Sequence, residues 1–254
     1  MKNNFFNLEG KHIVITGASS GIGRAVAILL SNYGVKLTLI ARRQDELENT
    51  QSQLLNKLNH IILPLDISKF ELIDSEIGKA VEKNGQIYGF VHCAGIDIVK
   101  PLSITKANTY QQIFDINVIS AFEMVKIMSK KKYVSEIGGS FIFISSIAAL
   151  YGQATKTAYS SSKGALIAGM KSIAIELAPK SIRVNTISPA VVETEMSNTW
   201  ISQLSKEQKD LIVKNHPLGL GNVLDIANSC LFLLSDASKW ITGTNLIVDG
   251  GFSC

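Results

Sequence analysis

The chain has 254 residues, 46% of them hydrophobic and 18% charged, with a formal net charge of +4. That balance excludes a disordered chain and supplies a sizeable core, and so mild a charge gives no footprint for nucleic acid. At roughly 150 residues per domain the length would suggest two, yet α/β folds reach this size undivided.

Met1 to Gly10 is short and polar and runs straight into an apolar segment, so no signal peptide is expected. Lys11 to Thr16 is a short apolar run ending in glycines, the mark of a buried strand. Ile22 to Tyr33 has helical periodicity, with Ala25, Val26, Leu29 and Leu30 on one side. Lys36 to Ile40 is strand-like, Gln44 to about Lys57 a polar helix, Ile61 to Leu65 a strand and Ile67 to Asn84 a helix. Ile87 to Cys93 is a fourth strand, followed by one long helix from about Thr105 to Lys132. Next come a strand at Ser140 to Ile144, a helix from about Thr157 to Ala178 and a strand at Ile182 to Ile187. A helix over Val223 to Leu234 and a strand over Asn245 to Val248 close the chain.

Strands alternating with helices of a dozen or more residues imply right-handed crossovers and a parallel sheet. Nearly continuous apolar strands imply a sheet covered on both faces. The expected fold is therefore α/β, a doubly wound parallel sheet flanked by helices on both faces. No Pro/Gly-rich linker interrupts residues 1–254, so one domain is expected. The longest apolar stretches, such as Phe141 to Leu150, are too short to span a bilayer, so no membrane partner is expected. Cys93, Cys230 and Cys254 form no metal-binding spacing and read as reduced thiols of a cytoplasmic protein.

The first strand–helix junction reads Thr16-Gly17-Ala18-Ser19-Ser20-Gly21-Ile22-Gly23. Glycines there permit a tight turn and let a pyrophosphate approach the amino terminus of the helix, where N–H groups and a positive dipole converge. Further on, Tyr159 and Lys163 stand four residues apart, and Ser146 lies thirteen before Tyr159. On a helix that spacing puts phenol and ammonium on one face. A cation beside a phenol, together with a cationic cofactor, stabilises the phenolate and makes the tyrosine a general acid/base. Elsewhere the same spacing is a packed ring beside a solvated amine.

Thr16 to Gly23, Asn117, Ser146, Tyr159 and Lys163 together resemble the short-chain dehydrogenase/reductase family, and the match extends from Lys11 to Gly251 through Ser188-Pro189 and Val248-Asp249-Gly250-Gly251. The resemblance implies a Rossmann-type fold, a nicotinamide cofactor and hydride transfer between it and a carbonyl or alcohol carbon. It makes Tyr159 the proton donor or acceptor, Lys163 the residue that tunes the phenol and holds the nicotinamide ribose, and Ser146 the partner of the substrate oxygen. Asn117 is assigned to a water-mediated proton relay with Lys163; the alternative is a helix kink or a satisfied polar residue. Cofactor contacts carried over in the same way are Gly17, Ser19, Ser20, Gly21, Ile22, Gly23, Asp66, Ile67, Ala94, Gly95, Pro189, Val192 and Thr194, besides Tyr159 and Lys163. Asp66 would accept from the adenine amine, or else cap the helix after it. No metal is implied.

The second strand ends Leu39-Ile40-Ala41-Arg42-Arg43. An NAD enzyme wants a carboxylate there for the ribose 2′-hydroxyl, whereas Ala41 rejects no phosphate and the Arg42 guanidinium suits a 2′-phosphate. Arg43 assists or simply opens the next helix. NADP(H) is therefore expected over NAD(H). Two positions depart from the family pattern. His92-Cys93-Ala94-Gly95 stands where the family reads Asn-Asn-Ala-Gly, and Ala190 stands where it has glycine. His92 and Cys93 read as core residues.

Residues from about Glu195 to Gly221 fall where the family folds a lid, with Met196, Trp200, Ile201, Leu204 and Leu218 as an apolar set. Within the family the chain looks most like the 3-oxoacyl-carrier-protein reductases, with sugar, polyol or steroid-like ketones as alternatives to an acyl substrate. Lys130 to Lys132, Lys171 and Lys180 would suit an acidic carrier protein, or serve as scattered surface charge. The stripe Ala165, Leu166, Met170 and Ile173 is a candidate contact of a homodimer or homotetramer, although core packing accounts for part of it.

Overall fold

The computed structural model of the protein describes residues 5–254, apart from the side chains of Leu58 and Trp200. Seven strands form one parallel sheet: β1 (His12–Thr16), β2 (Lys36–Ala41), β3 (His60–Pro64), β4 (Ile87–His92), β5 (Gly139–Ile144), β6 (Ile182–Pro189) and β7 (Asn245–Val248). They lie in the order β3-β2-β1-β4-β5-β6-β7. Helices α1 (Gly21–Ser31), α2 (Gln44–Ser52), α3 (Phe70–Asn84), α4 (Ala107–Phe114), α5 (Ser120–Met128) and α6 (Thr157–Leu177) follow in the crossovers, then α7 (Glu195–Ile201), α8 (Lys206–Lys214) and α9 (Val223–Leu234).

Side-chain alternation divides the core in two. Ile13 and Ile15 of β1 face a layer built with Val26 and Leu30 of α1 and Ile226, Cys230 and Leu233 of α9. Val14 faces the opposite layer, with Phe90, Phe141 and Phe143 against Ile73, Ile77, Met124, Leu166 and Met170. Both faces of the sheet are thus covered, which is why its strands place apolar side chains on both faces. Leu166 and Met170 are fully buried in this second layer. The subunit-contact expectation for those two residues is corrected accordingly: the sheet of their own chain takes them. Among the large apolar side chains of α6, Ile175 is left outside, 78% exposed.

Three elements differ from the sequence reading. The polar helix stops at Ser52, five residues before Lys57. The long helix expected from Thr105 to Lys132 is broken into α4 and α5 by a π-helical turn at Asp115–Ile119. Residues 130–132 lie beyond α5, where Lys130 and Lys132 pair with Asp74 at 2.6 and 3.7 Å. The lid segment carries two helices, α7 and α8, the second held by a capping box between Ser205 and Gln208.

Strand order reverses between β1 and β4, and a crevice opens at the carboxyl ends of the strands there. Thr16 and His92 pair across this seam. Thr16 Oγ1 lies 2.9 Å from His92 Nδ1 and accepts from the Ala94 amide at 3.3 Å.

Candidate active site

A cavity of about 640 Å³ occupies the crevice. One end is the glycine loop. Gly17 and Gly21 hold φ of +67° and +49°, a region that suits glycine. A Cβ on Gly23 would overlap the Gly17 carbonyl oxygen, so the turn closes only on glycine. Ser20 is the N-cap of α1 but makes no capping bond, and no acidic residue stands in the first turn. The first amides of α1 are therefore open to an anion in the cavity. The loop fits a dinucleotide pyrophosphate on these grounds. Arg24 braces it from behind, bonding Ser19 O, Thr50 Oγ1 at 3.1 Å and Glu46 at 2.6 Å.

Exposed Arg42 and Arg43 line the cavity beyond β2, beside Ala41. Asp66 and Ile67 line it from the end of β3. Asp66 Oδ1 accepts from Ser68 N at 3.0 Å and Ser68 Oγ at 2.7 Å. These bonds, with Arg42 nearby, hold its carboxyl below the usual range. The helix after it starts on Lys69 without a side-chain cap, so Asp66 orders the turn before α3 and not the cap itself.

The other end holds Ser146, Tyr159 and Lys163, which all line the cavity. Of the two serines after β5, Ser145 is 3% exposed and donates to the Lys163 carbonyl at 2.8 Å, tying β5 to α6. Ser146 is the one whose hydroxyl lines the cavity close enough to pull the Tyr159 phenol down against burial, and it accepts from Ala148 N at 3.1 Å. Lys163 Nζ donates to Ile144 O at 2.8 Å and lies 5.7 Å from the Tyr159 ring centroid.

Burial dominates the electrostatics of the protein alone. The Tyr159 phenol is pushed up to about 12 by burial, with the Ser146 hydrogen bond opposing and the Asp97 charge adding to the rise. Lys163 is lowered to about 8, chiefly by burial. The protein's own groups therefore keep Tyr159 protonated at neutral pH, because desolvation outweighs the opposing effect of Ser146.

Asn117 is fully buried and does not line the cavity. Its amide clamps Ile96, accepting from Ile96 N at 2.8 Å and donating to Ile96 O at 3.0 Å and Ser162 Oγ at 3.0 Å. It sits in the π-helical turn with its amide satisfied, the polar-group alternative foreseen for it. A Cβ on Gly95 would come within 3.3 Å of both Asn117 Oδ1 and Lys163 Nζ, which brings these two atoms to one place.

His92 is a core residue as expected, lowered to about 3 by burial, and Cys93 is pushed up to about 12 for the same reason. Neither is an acid/base at neutral pH. Ala94, Gly95, Pro189, Ala190, Val192 and Thr194 complete the wall. Thr194 Oγ1 accepts from Ser197 N at 3.1 Å and its methyl faces Gly21.

From the expected lid set, Met196 lines the cavity, whereas Leu218 is 87% exposed on the outside. The side chain of Trp200 lies outside those described. Ile212, Asn215 and His216 take the lining positions instead, with Phe252 of the carboxyl-terminal segment. The His216 and Phe252 rings stand 5.1 Å apart. Sequence reasoning also missed Asp97, Gln153 and Lys156, which line the wall around Tyr159. All three lie in loops outside β4 and α6, where the sequence pattern carries no direction.

The chain is similar to known proteins over nearly its whole length. A family model described as "Enoyl-(Acyl carrier protein) reductase" matches residues 17–253. An NAD-dependent glycerol dehydrogenase of Listeria innocua is 32% identical over 250 residues, covering 98% of this chain and 96% of that protein. A 3-oxoacyl-[acyl-carrier-protein] reductase of Thermotoga maritima is 32% identical over 250 residues, covering 96% and 98%. A solved 7α-hydroxysteroid dehydrogenase complexed with NADH and 7-oxo glycochenodeoxycholic acid superposes with a TM-score of 0.91 at 28% identity, covering 99% of this chain and 97% of that one. The chain belongs to the short-chain dehydrogenase/reductase family and is an oxidoreductase on a single Rossmann-like sheet. Polyol, acyl and steroid enzymes stand at similar distances from it, so likeness alone does not choose a substrate.

Proposed function

We propose that this short-chain dehydrogenase/reductase is an NADP(H)-dependent carbonyl reductase in which Tyr159 is the general acid. When bound, the nicotinamide cofactor supplies the hydride. Tyr159 donates its proton to the substrate oxygen as charge grows there, a role suited to a phenol held protonated at about 12. Ser146 Oγ holds the same oxygen and fixes it beside the phenol. Lys163, near 8, sits where it can hand a proton toward Tyr159 and bind ribose hydroxyls. Asn117 positions the Gly95–Ile96 backbone, and a relay through it to Lys163 belongs to the same proposal. The observation that carries the reading is the meeting of Ser146, Tyr159 and Lys163 on the cavity that the glycine loop closes.

The preference for NADP(H) rests on Ala41 and on Arg42 facing the cavity with no carboxylate at the end of β2. An acyl-carrier-protein substrate has weaker support. Lys130 and Lys132 pair with Asp74, and Lys180 Nζ donates to Ser129 O at 3.0 Å, so three of the five candidate docking lysines are engaged within the chain. A cytoplasmic setting is consistent with three cysteines that form no disulfide. No described helix is long and apolar enough to cross a membrane. Assembly as a homodimer or homotetramer is part of the proposal, with Ile175 available for it. An NADPH oxidation screen over simple ketones, keto-sugars and 3-oxoacyl thioesters tests the reading. Turnover of at least one class supports it, and inertness toward all with both nicotinamide cofactors overturns it.

A further inference from the structure

Asp97 stands two residues beyond Gly95, and its side chain is nine-tenths buried, at 10% exposure. One carboxylate oxygen, Oδ2, pairs with Lys156 Nζ at 2.9 Å. The other, Oδ1, is buried and has no hydrogen-bond partner in the protein. Buried carboxylate oxygens are costly to leave bare, so an unpartnered one on a cavity wall points to a donor that arrives with a ligand. The wall in question is the substrate end. Asp97, Gln153 and Lys156 line the cavity together with Tyr159, and Lys156 Nζ is 5.5 Å from the Tyr159 ring centroid. The Asp97 charge is close enough to raise the phenol.

We propose that Asp97 is a specificity-determining residue whose free Oδ1 accepts a hydrogen bond from a substrate hydroxyl a few bonds from the reacting carbon, so that the substrate is a small hydroxylated ketone or the matching polyol. This rests on the functional reading above. Lys156 neutralises Asp97, which makes the wall suit a neutral O–H donor and not a cation. A purely apolar acyl or steroid chain at this place would leave Oδ1 buried and bare, and sites built to bond a hydroxyl discriminate strongly against analogues that lack it. The Lys100 amide, bonded to Thr155 O at 2.9 Å, holds the loop of Asp97 against the loop of Lys156, so the pair is set before any ligand enters.

Hydroxyacetone and butan-2-one are matched probes, since one carries a hydroxyl where the other carries a methyl. The measured quantity is the ratio of kcat/KM for the two in the wild type, Asp97→Ala and Asp97→Asn. The ratio is expected to fall about 10- to 100-fold in Asp97→Ala, the loss of one hydrogen bond to a charged group. Asp97→Asn, which keeps an acceptor oxygen, falls less. Saturation-transfer NMR of the same two compounds reads binding without turnover: the hydroxyacetone signal should weaken in Asp97→Ala relative to butan-2-one. An unchanged ratio and an unchanged NMR preference in folded Asp97→Ala would overturn the proposal. A wild type that turns over neither ketone but shows the Asp97-dependent NMR preference would count against the reductase reading and leave the Asp97 contact standing.

Discussion

The Ser145 hydroxyl donates to the main-chain carbonyl of Lys163 at 2.8 Å, while the neighbouring Ser146 lines the cavity beside Tyr159 and pulls its phenol down against burial. Two adjacent serines at the end of β5 thus divide the labour, one locating the helix and the other facing the chemistry. Ser146→Ala is expected to lower kcat by about 100-fold or more with little change in melting temperature, as for loss of one oriented donor in an active site. Ser145→Ala is expected to cost about 1 kcal/mol of stability, the net worth of one buried hydrogen bond, with a smaller effect on kcat. Denaturant melts and steady-state kinetics on both variants check the division; equal kinetic losses would contradict it.

Cofactor preference is expected to follow Arg42. Arg42→Ala should weaken NADPH binding about 10-fold or more and leave NADH within a factor of about 2, since a charge-assisted pair to a phosphate is lost. Ala41→Asp should invert the preference by placing a carboxylate where a 2′-phosphate would lie. Fluorescence titration with each cofactor measures both.

The glycine loop predicts a steric outcome. Gly23→Ala places a methyl on the Gly17 carbonyl oxygen, which is backbone and cannot swing aside. NADPH and NADH binding should both be lost, with a drop in melting temperature. Retention of either affinity in a folded Gly23→Ala protein would contradict the loop geometry.

Acid stability is expected to depend on buried histidines, His92 and His12 foremost, with His60 lowered by burial in the same direction. His92 and His12 are lowered to about 3 and about 4 by burial. Above an unfolded value near 6.5 the imidazoles are neutral in both states and pH has no effect through them. As pH falls below 6.5 the unfolded chain takes protons that the fold refuses, so stability is lost progressively until the folded values are reached. Between pH 6.5 and 5 His92 and His12 each cost about 2 kcal/mol. His92→Asn should flatten that slope, with about 2 kcal/mol less lost in urea melts between pH 7 and pH 5. An unchanged slope would place the acid sensitivity elsewhere.

Much of this site was legible in the chain because it is built from spacing. Gly17 to Gly23, Ser146, Tyr159 and Lys163 each occupy an element end or a helix face that periodicity locates, and the cavity gathers them. The π-helical turn at Asp115–Ile119 was not legible, since one extra residue in a turn leaves the apolar pattern of a helix almost intact. Leu218 was misplaced because an apolar residue in a loop carries no direction, whereas His216 lines the cavity through the tertiary packing of α8. Asp97 gave no signal at all. A lone carboxylate after a strand is usually solvated, and only the folded loop shows it buried with one oxygen bare.

The central claim is that Tyr159 moves the proton while neighbouring residues hold the ligands. It is tested most directly by comparing wild type and Tyr159→Phe for NADPH affinity and for turnover of one ketone that the wild type reduces. The account predicts affinity within a factor of about 3 and kcat lower by about 1,000-fold or more, the contribution of a positioned proton donor. Turnover by Tyr159→Phe at the wild-type rate would contradict it.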